Sequence, residues 1–349
     1  MQTIKIGKKM IGEDQPVFII AEIGVNHNGD LNLAKKLVEK AKECGVDCVK
    51  FQTFKAERVA SAAAPKAPYQ LRTTSPSESQ VEMLRKLELS EDAHKALLEL
   101  CDKLNIIFLS TPYSLEDIDF LDCLGVPAFK VASGQAVEPY FLRYMGEKKK
   151  PIILSTGMCT LGEVDNAVRT IRGTGNKEIV VLQCTTNYPS VPEDANLLAM
   201  QTMRDALKVL VGYSDHTVSL SASIAAVALG ACVIERHFTL DKNMPGPDHS
   251  CSSEPEEFLT MVKTIREVKA CLGTGIKEPT SGEIENLLCM RRSIVAKRKI
   301  KAGEKFSLEN LTLKRPLDGL PASFMDVILG KEARCDILPD TFISLGMIK

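Results

Sequence analysis

No stretch of this sequence stays apolar for long enough to cross a bilayer. The longest mostly apolar run, 222–234, is too short for a spanning helix and is broken by Gly230. The opening Met1-Gln2-Thr3-Ile4-Lys5-Ile6 lacks the apolar core of a signal peptide. A basic excess is missing too, since 44 Lys and Arg stand against 45 Asp and Glu, for a net charge of −1. Without surplus positive charge to neutralise phosphates, nucleic acid is not an expected partner. The 11 cysteines form no CxxC pair and no small-secreted-domain spacing. They read as reduced thiols, mostly small core residues, in a soluble cytoplasmic protein without a membrane partner. Histidine is scarce, at 5 residues, so the position of each one carries information.

What is present is repetition. Eight times in the first 250 or so residues an apolar run gives way to a tight polar cluster, and then to a helical pattern. The clusters end at 21–24, 50–52, 110–112, 130–133, 155–157, 183–185, 214–216 and 235–237. The spacing predicts strands over 17–24, 46–51, 106–110, 128–131, 152–155, 179–183, 209–212 and 231–235. Helical patterns separate them, as at 31–41, 91–104, 161–172 and 219–229, with Asp30 placed to cap the first. Strand–helix alternation implies a parallel sheet. Eight strands favour a (β/α)8 barrel of the α/β class over an open doubly wound sheet. In a barrel all eight carboxyl-terminal strand ends meet at one mouth, where chemistry is done.

Three segments fall outside this repeat. Residues 1–16 read as a short hairpin or lead-in. The polar excursion 55–77 has the length of a functional lid or binding loop. After a helix over about 255–272, residues 273–290 lose apolar periodicity and read as a linker. The expected layout is a barrel over 1–272, that linker, and a small β-rich module over 291–349, with strands at 293–296, 311–314 and 337–342. So small a module is marginal by itself.

His216 and His237 sit at the ends of the seventh and eighth strands. Two imidazoles facing one cavity beside Asp215 and Glu235 make a plausible divalent-metal site, of a kind that favours Mn, Fe, Co or Zn over Mg or Ca. His27 is a weaker third candidate, and His94 reads as a solvated helix residue. Lys50 and Lys130 lie in apolar strand ends, where an ammonium needs an anion. That anion is either an internal carboxylate, Glu22 or Glu235, or a phosphate or carboxylate of a substrate. The hydroxyls of Ser110, Thr111, Ser133, Ser155 and Thr156 favour the second choice. With the N–H groups of 133–135 and 156–157 they suggest a phosphate cradle. Glu22, in an otherwise apolar run, is a candidate acid/base or a counter-ion to Lys50.

These residues lie in stretches that resemble the sialic acid synthase family of nonulosonate synthases. The stretches are AEIGVNHNGD (21–30), VKFQTF (49–54), LSTPYS (109–114), FKVASG (129–134), LSTGM (154–158), QCTTNYP (183–189), GYSDHT (212–217) and ERHFTLDKNMPGPDH (235–249). LKRP (313–316) resembles that family's antifreeze-like, or SAF, domain. The resemblance implies a (β/α)8 barrel that condenses phosphoenolpyruvate with an open-chain N-acylamino sugar and water. The expected acceptor is N-acetylmannosamine, giving N-acetylneuraminate, with 2,4-diacetamido-2,4,6-trideoxymannose, giving legionaminic acid, as the alternative. It further implies that His216 and His237 hold Mn²⁺, with Mg²⁺ or Co²⁺ as alternatives. By the same likeness Lys50, Thr111, Lys130, Ser133 and Ser155 contact phosphoenolpyruvate, and Glu22 transfers a proton. Gln52, Tyr188 and Asp248 meet the sugar. The family also implies a homodimer whose small domain covers the partner barrel, with Arg315 at the N-acyl group. Thr186 departs from members that carry Asn there and stays outside the expected site. Two other readings compete. One is a metal-dependent aldolase or a synthase of phosphorylated sugars, which would need a second phosphate site. The other is an inactive barrel serving as a sugar-binding module.

Overall fold

The chain opens with a hairpin in which β1 (Thr3–Ile6) pairs antiparallel with β2 (Lys9–Gly12). Eight parallel strands follow: β3 (Phe18–Gly24), β4 (Cys48–Thr53), β5 (Ile107–Pro112), β6 (Phe129–Val131), β7 (Ile152–Ser155), β8 (Ile179–Cys184), β9 (Leu210–Asp215) and β10 (Val233–His237). They neighbour one another in chain order, β10 pairs with β3, and β6 lies against β5, so the sheet closes into a (β/α)8 barrel. The computed structural model describes residues 2–75 and 77–349. It divides into two compact units, Met1–Gly273 and Thr274–Lys349.

Side-chain alternation along the strands builds two apolar layers. Phe18, Ile20, Leu109, Ile153, Val180, Leu182 and Val233 fill the barrel interior, together with Ile4, Ile6 and Ile11 of the hairpin. The hairpin therefore plugs the end at which the strands begin. Ile19, Ala21, Ile23, Val49, Phe51, Val181, Val211 and Ile234 point outward and pack under the helices. Gly212 faces inward at a point with no room for more. A Cβ there would lie 2.4 Å from the Val233 carbonyl oxygen.

The helices begin where the sequence supplies caps. Asp30 accepts from the Asn32 N–H at the start of Leu31–Glu43. Ser79 with Glu82, and Thr160 with Glu163, form reciprocal capping boxes on Gln80–Arg85 and Leu161–Gly173. Helices at Leu115–Leu124, Pro139–Glu147 and Leu198–Leu207 complete the alternation. The excursion 55–77 carries two four-residue helices, Ala56–Val59 and Gln70–Thr73. Within it the buried Lys66 ammonium donates to Thr74 Oγ1 (3.0 Å), Ser75 O (2.8 Å) and Glu78 (3.3 Å). Among the described residues no helix is long and apolar enough to cross a membrane.

In the second unit β11 (Ser293–Ala296) pairs antiparallel with β12 (Leu311–Lys314) over a small core that includes Ile294, Phe306, Leu311 and Ile343. The strand expected at 337–342 does not form. Only single bridges, Ile300 to Ile337 and Val295 to Phe342, tie that segment in. In the expected linker 273–290, Thr280 and Glu283 form a capping box on the short turn Ser281–Glu283, which runs into a seven-residue helix, Ile284–Met290.

Candidate active site

One cavity opens at the carboxyl ends of the strands. It is lined by Glu22, Lys50, Gln52, Thr111, Lys130, Ser133, Ser155, Tyr188, His216, His237 and Asp248. All the barrel residues to which the family resemblance gave a role therefore converge, from strands and loops as far apart as residues 22 and 248. Arg315 belongs to the second unit, where it is exposed after β12.

The floor is an ion network in the dry interior. Lys50 Nζ lies 2.5 Å from Glu22 and 3.9 Å from Glu235, and donates to Thr111 Oγ1 at 3.1 Å. Lys130 Nζ lies 3.7 Å from Glu235 and donates to Ser155 Oγ at 2.6 Å and to the Val131 carbonyl at 3.0 Å. Internal carboxylates therefore hold both lysines, and a cavity remains in front of them. Burial opposes the charge on Lys50, but Glu22 and Glu235 outweigh it and hold its pKa above the ordinary value. Burial lowers Lys130 despite Glu235. Glu22 is raised, first by burial and then by Glu235, against the pull of Lys50. A β-bulge at Gly24 follows Glu22, and a Cβ at Gly24 would sit 2.9 Å from Glu22 Oε1.

On the far wall the His216 and His237 rings lie 5.3 Å apart. His216 Nδ1 is 2.8 Å from the Thr185 carbonyl, which only accepts, so Nδ1 carries the proton and Nε2 offers a lone pair. Burial lowers His237 well below the usual imidazole range. Its buried Nδ1 has no hydrogen-bond partner among the described residues and stands 3.7 Å from Asp248. Two adjoining imidazoles, one with an unpaired buried nitrogen, fit a divalent ion held open on its other sides. No group of three or more His, Cys, Asp or Glu forms a closed metal cage among the described residues. Tyr188 covers both rings, 4.2 Å from His216 and 5.7 Å from His237.

Strand parity corrects several expectations. Asp215 is one residue from His216 and therefore points outward. It pairs with Arg236 at 2.7 Å in the outer layer and takes no part in the metal wall. Ser110 and Thr156 also face out, to Thr53 Oγ1 and the Leu182 carbonyl. The Gln135 N–H is engaged by the Ala132 carbonyl. Of the expected cradle, Thr111, Ser133 and Ser155 line the cavity, and the Gly157 N–H donates to Ser133 Oγ at 3.0 Å. His27 lies beside Phe51, away from the metal wall, with Nδ1 accepting from the Gly29 N–H at 3.0 Å. His94 is buried rather than solvated, 2.9 Å from Thr53 Oγ1. Sequence reasoning missed Ser214, Cys184, Tyr69 and Tyr113, which all line the cavity. Ser214 and Cys184 were recoverable, since they share parity with His216 and Leu182. Tyr69 and Tyr113 lie off the strands and carry no such signal.

His27 gives a pH prediction. Burial holds its pKa at about 4. In the unfolded chain it titrates near the ordinary value of about 6.5. Below that value the unfolded chain binds a proton that the folded chain refuses. Stability is then complete above about 6.5 and falls as the pH drops toward 4, by about 3 kcal/mol in all. His249, also held at about 4 by burial, adds a parallel fall. Between pH 7.5 and 5 the urea midpoint of His27→Gln will fall less than that of the wild type; His94 and His237, also lowered by burial, act in the same direction as His27, and Asp248, raised to about 7 by burial, acts against them.

The NeuB family profile matches residues 37–277, and that of the SAF domain matches 291–349. The chain belongs to the NeuB family. It is 51% identical over 327 residues to the N,N'-diacetyllegionaminic acid synthase of Campylobacter jejuni, covering 93% of this chain and 98% of that one. To the enzyme of the same name from Legionella pneumophila it is 45% identical over 339 residues, covering 96% and 95%. The crystal structure of N-acetylneuraminic acid synthetase from Leptospira borgpetersenii, in complex with citrate, superposes with a TM-score of 0.73 at 32% identity. It covers 82% of this chain and 95% of that one. As a NeuB-family chain, this is a synthase of the phosphoenolpyruvate-condensing type.

Proposed function

We propose that the enzyme condenses phosphoenolpyruvate with an open-chain N-acylated amino sugar and water, releasing a nine-carbon α-keto acid sugar and phosphate. The observation that carries this reading is the pair of buried ammonium groups, Lys50 and Lys130, set in one cavity with two neighbouring imidazoles. Lys50, Lys130, Ser133, Ser155 and Thr111 bind the phosphate and carboxylate of phosphoenolpyruvate and exclude water from them. Its C3 attacks the sugar aldehyde, water adds at C2, and the tetrahedral intermediate loses phosphate by C–O cleavage. Glu22, beside Lys50 and Gln52, moves the proton. Gln52, Tyr188 and Asp248 orient the sugar hydroxyls. His216 and His237 would hold Mn²⁺, with Mg²⁺ or Co²⁺ as alternatives, which supplies Lewis-acid polarisation of the aldehyde and a template for the sugar.

For the acceptor, the two legionaminic acid synthases at 51% and 45% identity favour 2,4-diacetamido-2,4,6-trideoxymannose. N-acetylmannosamine is the second reading, supported by likeness to the Leptospira enzyme. The same proposal carries a homodimer, with the exposed Arg315 directed to the N-acyl group, and a cytoplasmic location. Eleven cysteines, all unpaired, support the location. Phosphate release from phosphoenolpyruvate, assayed with Mn²⁺ and a panel of amino sugars, tests the reaction. Release that depends on an N-acylamino sugar is the expected result. Release with none of them would leave a sugar-binding barrel instead.

A further inference from the structure

The cavity has two chemically different ends. Its floor and far wall are the lysines, carboxylates, hydroxyls and imidazoles described above. Its other end is apolar, lined by Val25, Phe54, Val59, Met83, Leu84 and Leu87. Val25, Phe54, Met83 and Leu87 are buried in one cluster, with Leu84 and Tyr113 packed against it. A chain of contacts runs from one end to the other. Gln52 donates to Glu22 Oε1 at 3.1 Å and accepts from Tyr113 OH at 3.3 Å. The Tyr113 ring then stands edge-on to Phe54, 5.9 Å between centres. Two glutamines border this end, Gln80 at the start of the helix that carries Met83, and Gln70. The side chain of Gln70, which also lines the cavity, is already engaged with the Ala67 N–H at 2.9 Å and Tyr69 OH at 3.4 Å.

We propose that this apolar lobe is the specificity subsite for the far end of the amino sugar, and that it selects a 6-deoxy sugar by receiving its terminal methyl. The inference rests on the condensing-synthase reading. In that reading the aldehyde carbon lies at the imidazole wall beside phosphoenolpyruvate, so the rest of the sugar extends along Gln52 and Tyr113 toward the lobe. A terminal methyl buries apolar surface there. A terminal hydroxyl gives up its water partners and finds none against Phe54, Met83 and Leu87. The lobe exists before substrate arrives, because Met83 and Leu84 sit on the capped helix Gln80–Arg85 and the lid is held by the Lys66 contacts.

The test compares kcat/KM for 2,4-diacetamido-2,4,6-trideoxymannose and for 2,4-diacetamido-2,4-dideoxymannose, which differ only at C6, in the full-length enzyme and three variants. The wild type is expected to favour the 6-deoxy sugar. Met83→Gln, which offers a hydrogen-bonding amide, is expected to cut the preference by roughly tenfold or more. Val59→Thr, a near-isosteric change at a partly exposed position, cuts it in the same direction by about threefold. Met83→Leu holds it within about twofold, because the lobe stays apolar. KM for phosphoenolpyruvate stays unchanged throughout, which shows that the polar floor is intact. If Met83→Gln fails to fold, Val59→Thr decides. A wild type that prefers the 6-hydroxylated sugar, or a preference that neither polar variant moves, overturns the subsite and leaves the synthase reading standing. No phosphate release from the wild type with either sugar overturns both.

Discussion

His237→Ala is expected to lower phosphate release by about three orders of magnitude, while the melting temperature stays within a few degrees of wild type. The size follows from the several kcal/mol that aldehyde polarisation supplies, at tenfold in rate for each 1.36 kcal/mol. The fold should tolerate the loss. The His237 Nδ1 makes no hydrogen bond among the described residues, so removing the ring breaks no polar contact there. Mn²⁺ binding followed by electron paramagnetic resonance gives a readout that does not depend on turnover. Affinity should fall in His237→Ala and in His216→Ala, and less in Tyr188→Phe, which keeps the aromatic cover. Full activity of the wild type in chelator-treated buffer, or unchanged Mn²⁺ binding in both histidine variants, would remove these two residues from the metal assignment.

The largest expected loss of stability lies behind the site. Arg236 is buried, and each of its five N–H groups has an acceptor: Ser253 Oγ (2.6 Å), Asp215 Oδ2 (2.7 Å) and the carbonyls of Ser219 (3.2 Å), Thr217 (2.8 Å) and Val218 (3.0 Å). Asp215 accepts in addition from Thr217 and Ser223. Arg236→Leu leaves a buried carboxylate and three carbonyls short of partners, at a cost of about 3–5 kcal/mol. For a unit of this size that lowers the melting temperature by about 10 °C. Asp215→Leu combined with Arg236→Leu should recover part of the loss, because no unpaired charge then remains. Calorimetry of the two single variants and the double variant checks this. A double variant as unstable as the sum of the singles would show that the pair itself is not the source.

Most of the barrel was legible because its signal is local. Short apolar runs alternating with capped helical patterns need only neighbouring residues to be recognised, and Asp30, Ser79 and Thr160 cap where their side chains allow. The second unit was harder to read. Residues 337–342 are bounded by apolar Ile337 and Phe342, yet they pair through single bridges only, because the chain turns between Leu338 and Thr341, with Asp340 at a positive φ. His94 shows the same limit from the other side. Its polar side chain lies on a helix like a solvated residue, but Thr53 and the Ser90 carbonyl satisfy it in the interior.

By itself the sequence determined that eight barrel strands exist, about where each ends, and which residue types gather at those ends. The tertiary structure decided which member of each polar cluster enters the cavity. Closing the ring sets the parity of every strand, and a shift of one residue turns a side chain from cavity to outer layer. That is why Ser214 and His216 face the site while Asp215, between them, anchors Arg236 behind it. The apolar lobe likewise arises only on folding, because Val25, Phe54 and Met83 are brought together from loops and a helix that share no repeat in the chain.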